Sequence, residues 1–321
     1  MKHKRLIISL VLFFFIIIVE TYAVTYPGDV YKRVRWDNTP GGTYQVDDNG
    51  ELKDPDLNYY VVGGTFGTGH DLTIAISQPL AKVSIYLLPI FFFSVFVFGV
   101  YYFIKPFVKY PEWVFIMAPA TLLTTILAQI FSVGLFWFVL GFYFRDKKHP
   151  QRRYKIAIMV FLFLTSLAHF WSGICIVLAF AAFLVIDKKP KLIYVLTPAL
   201  VLIISVALMM GFTPIRMFDP TTFVRYAPET IPTFFYLFTR GMGFLISASV
   251  GILWLLIKKE YSLLKIIVPL LVVPIGMMLV LPYDWVWRLF YFMPLLALTS
   301  IFLSYAQENK DKEKRKKQGV N

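Results

Sequence analysis

LIISLVLFFFIIIVETYAVTYPGDVYKRVRW, residues 6–36, carries no charge from Leu6 to Val19 and then meets an acid, Glu20. A second acid, Asp29, follows the Pro27-Gly28 turn and stands just ahead of Tyr31, Lys32, Arg33 and Arg35. The basic head and apolar body look like a signal peptide. The apolar run is long and its cleavage site weak, so a retained anchor is expected. Asp29 is then placed at the lip of an apolar layer beside a cationic cluster. There a carboxylate can remove a proton from an attacking hydroxyl. The plainer reading of Asp29 is a solvated loop acid.

Working outward, the composition favours the same layer. Hydrophobic residues make up 58% of the 321 residues and aromatics 18%. No soluble domain of this length needs so many apolar runs. With roughly 17 to 25 residues asked of each, the runs predict about ten spans. They lie near 6–24, 83–104, 113–130, 132–144, 156–170, 172–186, 192–211, 241–257, 265–281 and 287–305. The expected fold is therefore all-α, a polytopic transmembrane helical bundle with a long first extracytoplasmic loop.

The charge pattern supplies an orientation. The net charge of +13 does not point to nucleic acid, because its Lys and Arg sit in short clusters between apolar runs. Breaks assigned to the cytoplasm hold most of the 32 Lys and Arg and fewer than half of the 19 acids. That asymmetry fits the positive-inside rule and predicts a multi-pass cell-membrane protein with both termini cytoplasmic. Residues 1–306 would form the transmembrane domain and 307–321 a basic, disordered tail drawn to anionic membrane lipids.

Two outer segments exceed what a connection needs. Residues 25–82 contain TYQVDDNGELK, where Asn49-Gly50 predicts a hairpin turn. Residues 212–240 mix Phe and Tyr with Arg225, Glu229 and Arg240, which predicts a helix lying in the interface. The single cysteine, Cys175, excludes an intrachain disulfide. No histidine–acid cluster has metal-ligand spacing, so no metal and no cofactor are expected. VGGTFGTG neither follows a strand nor opens a helix, and it is discounted as a phosphate cradle.

Arg216, Arg225, Arg240 and Arg288 fall near outer ends of the expected spans, where the positive-inside rule disfavours them. Arginine's planar fork suits phosphate; the alternative is snorkelling to lipid heads. Arg288, in PYDWVWRLFYFMP, also stands at helical spacing from Asp284 and can pair with it instead. His169, in TSLAHFWSG, can bind phosphate or shuttle a proton, or simply belong to an aromatic belt with Phe170 and Trp171.

A long outer loop after the first span, opening with GDVYKRVR, resembles the GT-C class of integral-membrane glycosyltransferases. The oligosaccharyltransferase catalytic subunits carry an acid–aromatic–His–x–Arg element there. Asp29, Tyr31 and Arg35 are retained here and the His is not. YLLPIFFFSVFVFGVYYFIKP is similar to that family's second span. LAQIFSVGLFWFVLGFYF and LTSLAHFWSGICIVLAF are similar to its short paired spans. Two departures matter. The family's metal-binding acids are replaced by Gln129-Ile130-Phe131-Ser132, and its large C-terminal domain has no counterpart. The resemblance therefore implies a small, metal-independent, inverting transferase acting on a polyprenyl-phosphate-linked sugar on the extracytoplasmic face. Asp29 would be its base and Arg288 would hold the lipid phosphate, with Arg225, Arg240, Arg35 and His169 as further substrate contacts. The rival readings are a transporter or lipid flippase for an anion, and a non-catalytic subunit docking a membrane protein partner.

Overall fold

The computed structural model describes residues 2–23, 87–118, 127–168, 170–187, 242–278 and 294–318. It adds isolated residues between 72 and 83 and between 192 and 204. Among these the regular structure is helical: α1 (Lys2–Ala23), α2 (Leu87–Ile104), α3 (Trp113–Met117), α4 (Leu127–Lys148), α5 (Arg152–Ala168), α6 (Phe170–Ile186), α7 (Met242–Ile257), α8 (Tyr261–Met278) and α9 (Leu295–Lys317).

Local chemistry sets several of the boundaries. Arg145, Lys147 and Lys148 occupy the last turn of α4, where cations complement the negative end of the helix dipole. Pro150 then stops the helix, since it lacks an N–H and disfavours helical backbone before it. The Gln151 N–H donates to Asp146 Oδ1 at 2.9 Å, closing the corner into α5. At the α7–α8 corner, Glu260 N–H donates to Leu255 O at 2.9 Å and Lys259 N–H to Leu256 O at 3.1 Å. These are the two bonds of a Schellman cap.

The core is aromatic. Phe13, Phe93, Phe96, Phe103, Phe115, Phe136, Phe180 and Phe183 are buried together with aliphatic residues from each of these helices. α2 lies along α4, α4 along α5, α7 along α9 and α8 against α6. The tightest crossings use glycine. A Cβ on Gly134 would stand 2.7 Å from Phe96 Cα, and Gly99 faces the Gly134 carbonyl across the same contact. A helix-interior glycine costs about 1 kcal/mol relative to alanine. At this crossing, closer backbone approach and better packing of α2 on α4 offset that cost.

The described residues correct the expected ten-span bundle. Among them no helix is long and apolar enough to cross a membrane, against both the transmembrane fold and the multi-pass cell-membrane placement with cytoplasmic termini. A span needs roughly 20 predominantly apolar residues. The 22 residues of α1 begin KHKR and carry Glu20 near their end, and the 22 of α4 end in a charged turn. The wholly uncharged helices stop at 18 residues for α2, 17 for α6 and 16 for α7. An 18-residue helix rises about 27 Å, short of a hydrocarbon layer of about 30 Å.

Two further boundaries differ. The runs 113–130 and 132–144 are redrawn as the five-residue α3 and the 22-residue α4. The tail expected to be disordered continues α9 without a break across position 307 to Lys317. The expected hairpin in 25–82 and the interfacial helix at 212–240 lie outside the described residues.

Candidate functional site

Helix termini carrying cations are gathered at one end of the bundle, and side-chain contacts join them in turn. On α4, Arg145 lays its guanidinium 3.6 Å over the Tyr102 ring of α2. It donates to Gly141 O at 2.8 Å and to Tyr102 O at 2.9 Å. Asp187, just past α6, is only 3% exposed and draws in two other helices. It accepts from Tyr143 Oη at 2.7 Å and from Lys147 Nζ at 2.7 and 2.8 Å, both on α4. Lys265 Nζ of α8 stands 4.0 Å from the same carboxylate. The α7–α8 corner follows, and Trp254 of α7 packs on Tyr305 of α9 with ring centroids 4.4 Å apart.

The circuit closes through Tyr110. Its N–H donates to Ser304 Oγ of α9 at 2.9 Å, and its hydroxyl donates to Asp311 about two turns further on. Arg5 of α1 lies 5.0 Å from the Tyr110 ring centroid and Lys109 5.2 Å. Gln307 Nε2 donates to the other Asp311 oxygen at 2.9 Å. Five helices and the 105–112 segment thus present their cations in one place. Arg145 and Lys147 are held by these bonds, Arg153 donates to Gln151 Oε1 and Lys258 lies over the Trp254 ring, whereas Lys148, Arg152 and Lys259 are exposed. A face of this kind can hold an anion but brings no nucleophile and base together. Among the described residues no group of three or more His, Cys, Asp or Glu is placed to hold a metal ion.

The Tyr110 hydroxyl holds the Asp311 carboxyl below its ordinary value, with Gln307, Arg5 and Lys109 adding to the effect against a smaller penalty from burial. Because the folded value is depressed, the link stabilises the docked helix above the ordinary carboxylate pKa. Its contribution is lost as pH falls through the lowered value. Tyr110→Phe removes the donor, so release of the 305–317 half of α9 should move to higher pH. Amide exchange of that segment followed down an acid titration checks this. An unchanged profile would show that Ser304 and the ring contacts hold the segment without the carboxylate.

None of the residues singled out as a site in the sequence falls where the structure describes side chains. Asp29, Arg35, His169, Arg225, Arg240 and Arg288 all lie outside the described residues. Glu20 falls within α1, near its end. What the sequence reading passed over is the role of lone acids inside basic runs. Asp146 in RDKK, Asp187 in DKKPK and Asp311 in KDKEKRKK each sit where like charges would otherwise repel. An acid set within a run of three or more cations is the signal that marks such a clamp. Comparison with protein-family models, with curated proteins and with solved structures finds no match in any of the three.

Proposed function

We propose that the chain is a glycosyltransferase that moves a sugar from a polyprenyl-phosphate-linked donor to an acceptor hydroxyl. The observation that supports this is the pairing of surfaces on the described helices. Val11, Phe15, Val160, Leu253 and Ile257 are exposed apolar side chains on helices whose ends carry the gathered cations. Apolar area exposed on this scale marks an interaction surface rather than ordinary solvent-facing protein. A donor with an isoprenoid tail and a phosphate head has the matching character.

The chemistry follows from the resemblance and is assigned to residues outside the described ones. The acceptor oxygen attacks the anomeric carbon as the bond to the phosphate oxygen breaks, inverting the configuration. The electron pair leaves with the polyprenyl phosphate, whose charge Arg288 stabilises with Arg225 or Arg240. The acceptor proton goes to Asp29. His169 and Arg35 are assigned to donor binding.

Incubating the purified full-length chain with defined polyprenyl-phosphate sugars and a panel of hydroxyl acceptors tests this reading. Mass spectrometry should find a glycosylated acceptor and free polyprenyl phosphate in equal amounts. Intact donor with every sugar, under conditions where the chain is folded, overturns it.

A further inference from the structure

The corner between α7 and α8 contains a conformational cost that the fold does not require. Lys259 has φ 58°, and among the described residues it is the one non-glycine residue with positive φ. It occupies the C′ position of the Schellman cap, which glycine fills without a steric penalty and lysine fills only against its own Cβ. Strain of this sort at an exposed turn suggests that the side chain is kept for something other than the fold.

Its surroundings show what that is. Lys258 precedes it, with Nζ 4.7 Å from the Trp254 ring centroid, and Lys265 follows one turn into α8. Glu260 is the one acid between Lys258 and Lys265 in sequence, and the buried Asp187 carboxylate stands 4.0 Å from Lys265 Nζ. Directly below these cations, α7 exposes Leu253, Leu256 and Ile257 on one face, with Ile257 71% exposed. On α8 the exposed Tyr261, Val268 and Val272 share a face with Lys265, at spacings of three and four residues.

We infer that this corner is a docking surface for anionic phospholipid, with headgroup phosphates on Lys258, Lys259 and Lys265 and acyl chains along the exposed stripes of α7 and α8. Charge complementarity selects this occupant. A free phosphate would use the cations and leave the apolar stripes in water. A second copy of the chain would set the same lysines against each other. Only an anionic amphiphile satisfies both halves of the surface. The inference shares Leu253 and Ile257 with the surface offered to the lipid-linked donor, but its vesicle test involves no sugar transfer and neither Asp29 nor Arg288, so the two readings can fail separately.

Flotation of the purified full-length chain with vesicles tests it. Vesicles of phosphatidylcholine mixed with phosphatidylglycerol should carry more of the chain than phosphatidylcholine alone. Lys259→Gly should keep or raise the Tm while weakening the phosphatidylglycerol-dependent part about fivefold, the effect of one lysine near an anionic surface. Adding Lys258→Ala should bring the loss to roughly twentyfold. Three results overturn the inference. The first is equal flotation on both vesicles. The second is a Tm that falls in Lys259→Gly, which would make the lysine structural. The third is a phosphatidylglycerol preference abolished by inorganic phosphate at matched ionic strength, which would make this a site for the free ion.

Discussion

Asp29→Asn should lower sugar transfer by roughly 10²–10⁴-fold while leaving donor binding intact. The substitution keeps the size of the side chain and removes the proton acceptor. Lys32, Arg33 and Arg35 stand close by in sequence and favour an ionised carboxylate at neutral pH. A base acts on the acceptor proton in the transition state, so its loss should appear in kcat and hardly in the affinity for the lipid donor. Glu20→Gln and Asp37→Asn are matched controls on either side. Glu20 lies within α1, which runs to Ala23. Single-turnover transfer with each purified variant, alongside equilibrium binding of the donor, separates the cases. If Glu20→Gln is inactive and Asp29→Asn is not, the base belongs to the end of α1. In that case the match to the GDVYKRVR element is wrong. If all three transfer at the native rate, the chemistry proposed for this chain has no base.

Most helix positions were legible as apolar runs, because burying an uncharged stretch of sixteen or more residues leaves the backbone few alternatives to helix. α2, α5, α6, α7 and α8 each begin or end within a few residues of an expected run. Hydropathy did not show where a run breaks. Residues 113–130 read as one continuous segment, yet the described helix stops at Met117 and α4 begins at Leu127. Nor did it show where a helix continues into polar sequence. α9 keeps its course past Gln307 because its residues are good helix formers and its charges find partners. Glu308 pairs with Lys312 at 2.9 Å, and Asp311 is held by Tyr110. Span length was the costliest error. A run was counted from its apolar letters, whereas a helix includes its charged turns. The KHKR start of α1 and the RDKK end of α4 therefore belong to the helices themselves.

The site was legible only as residue types. An acid followed by an aromatic and a basic cluster can be recognised in one dimension, but whether Arg288 approaches Asp29 cannot. Contacts between distant positions decide that, as they do at Asp187. Nothing in DKKPK announces that its acid is buried against Tyr143, which lies on another helix. The tyrosine hydroxyl and the lysine compensate together for burying that carboxylate. Such compensation depends on how α4 and α6 pack, a property of the aromatic core rather than of either segment.

Phe115→Ala should be the most destabilising single change in that core, at about 3–5 kcal/mol. Phe115 is fully buried, with ring centroids 5.7 Å from Phe13, 5.2 Å from Phe98 and 5.0 Å from Tyr101. It thereby fastens α1 and α2 to α3, whose five residues are far too few to be helical alone. Glu112 gives α3 no side-chain cap, so burial of Val114 and Phe115 is what orders it. Losing the ring should therefore free the 105–112 segment as well, and with it the Tyr110 bond to Asp311. Chemical denaturation should show the large loss for Phe115→Ala and a partial recovery in Phe115→Leu. Phe91→Ala, on the same α2 but 37% exposed, should cost well under half as much. Amide exchange in the Phe115→Ala variant should show early opening of 305–317 alongside 105–117. If Phe91→Ala and Phe115→Ala prove equally costly, the α1–α2–α3 junction is not the keystone of the core. The same would follow if 305–317 stays protected while α3 opens, because Ser304 and Trp254 would then hold α9 without it.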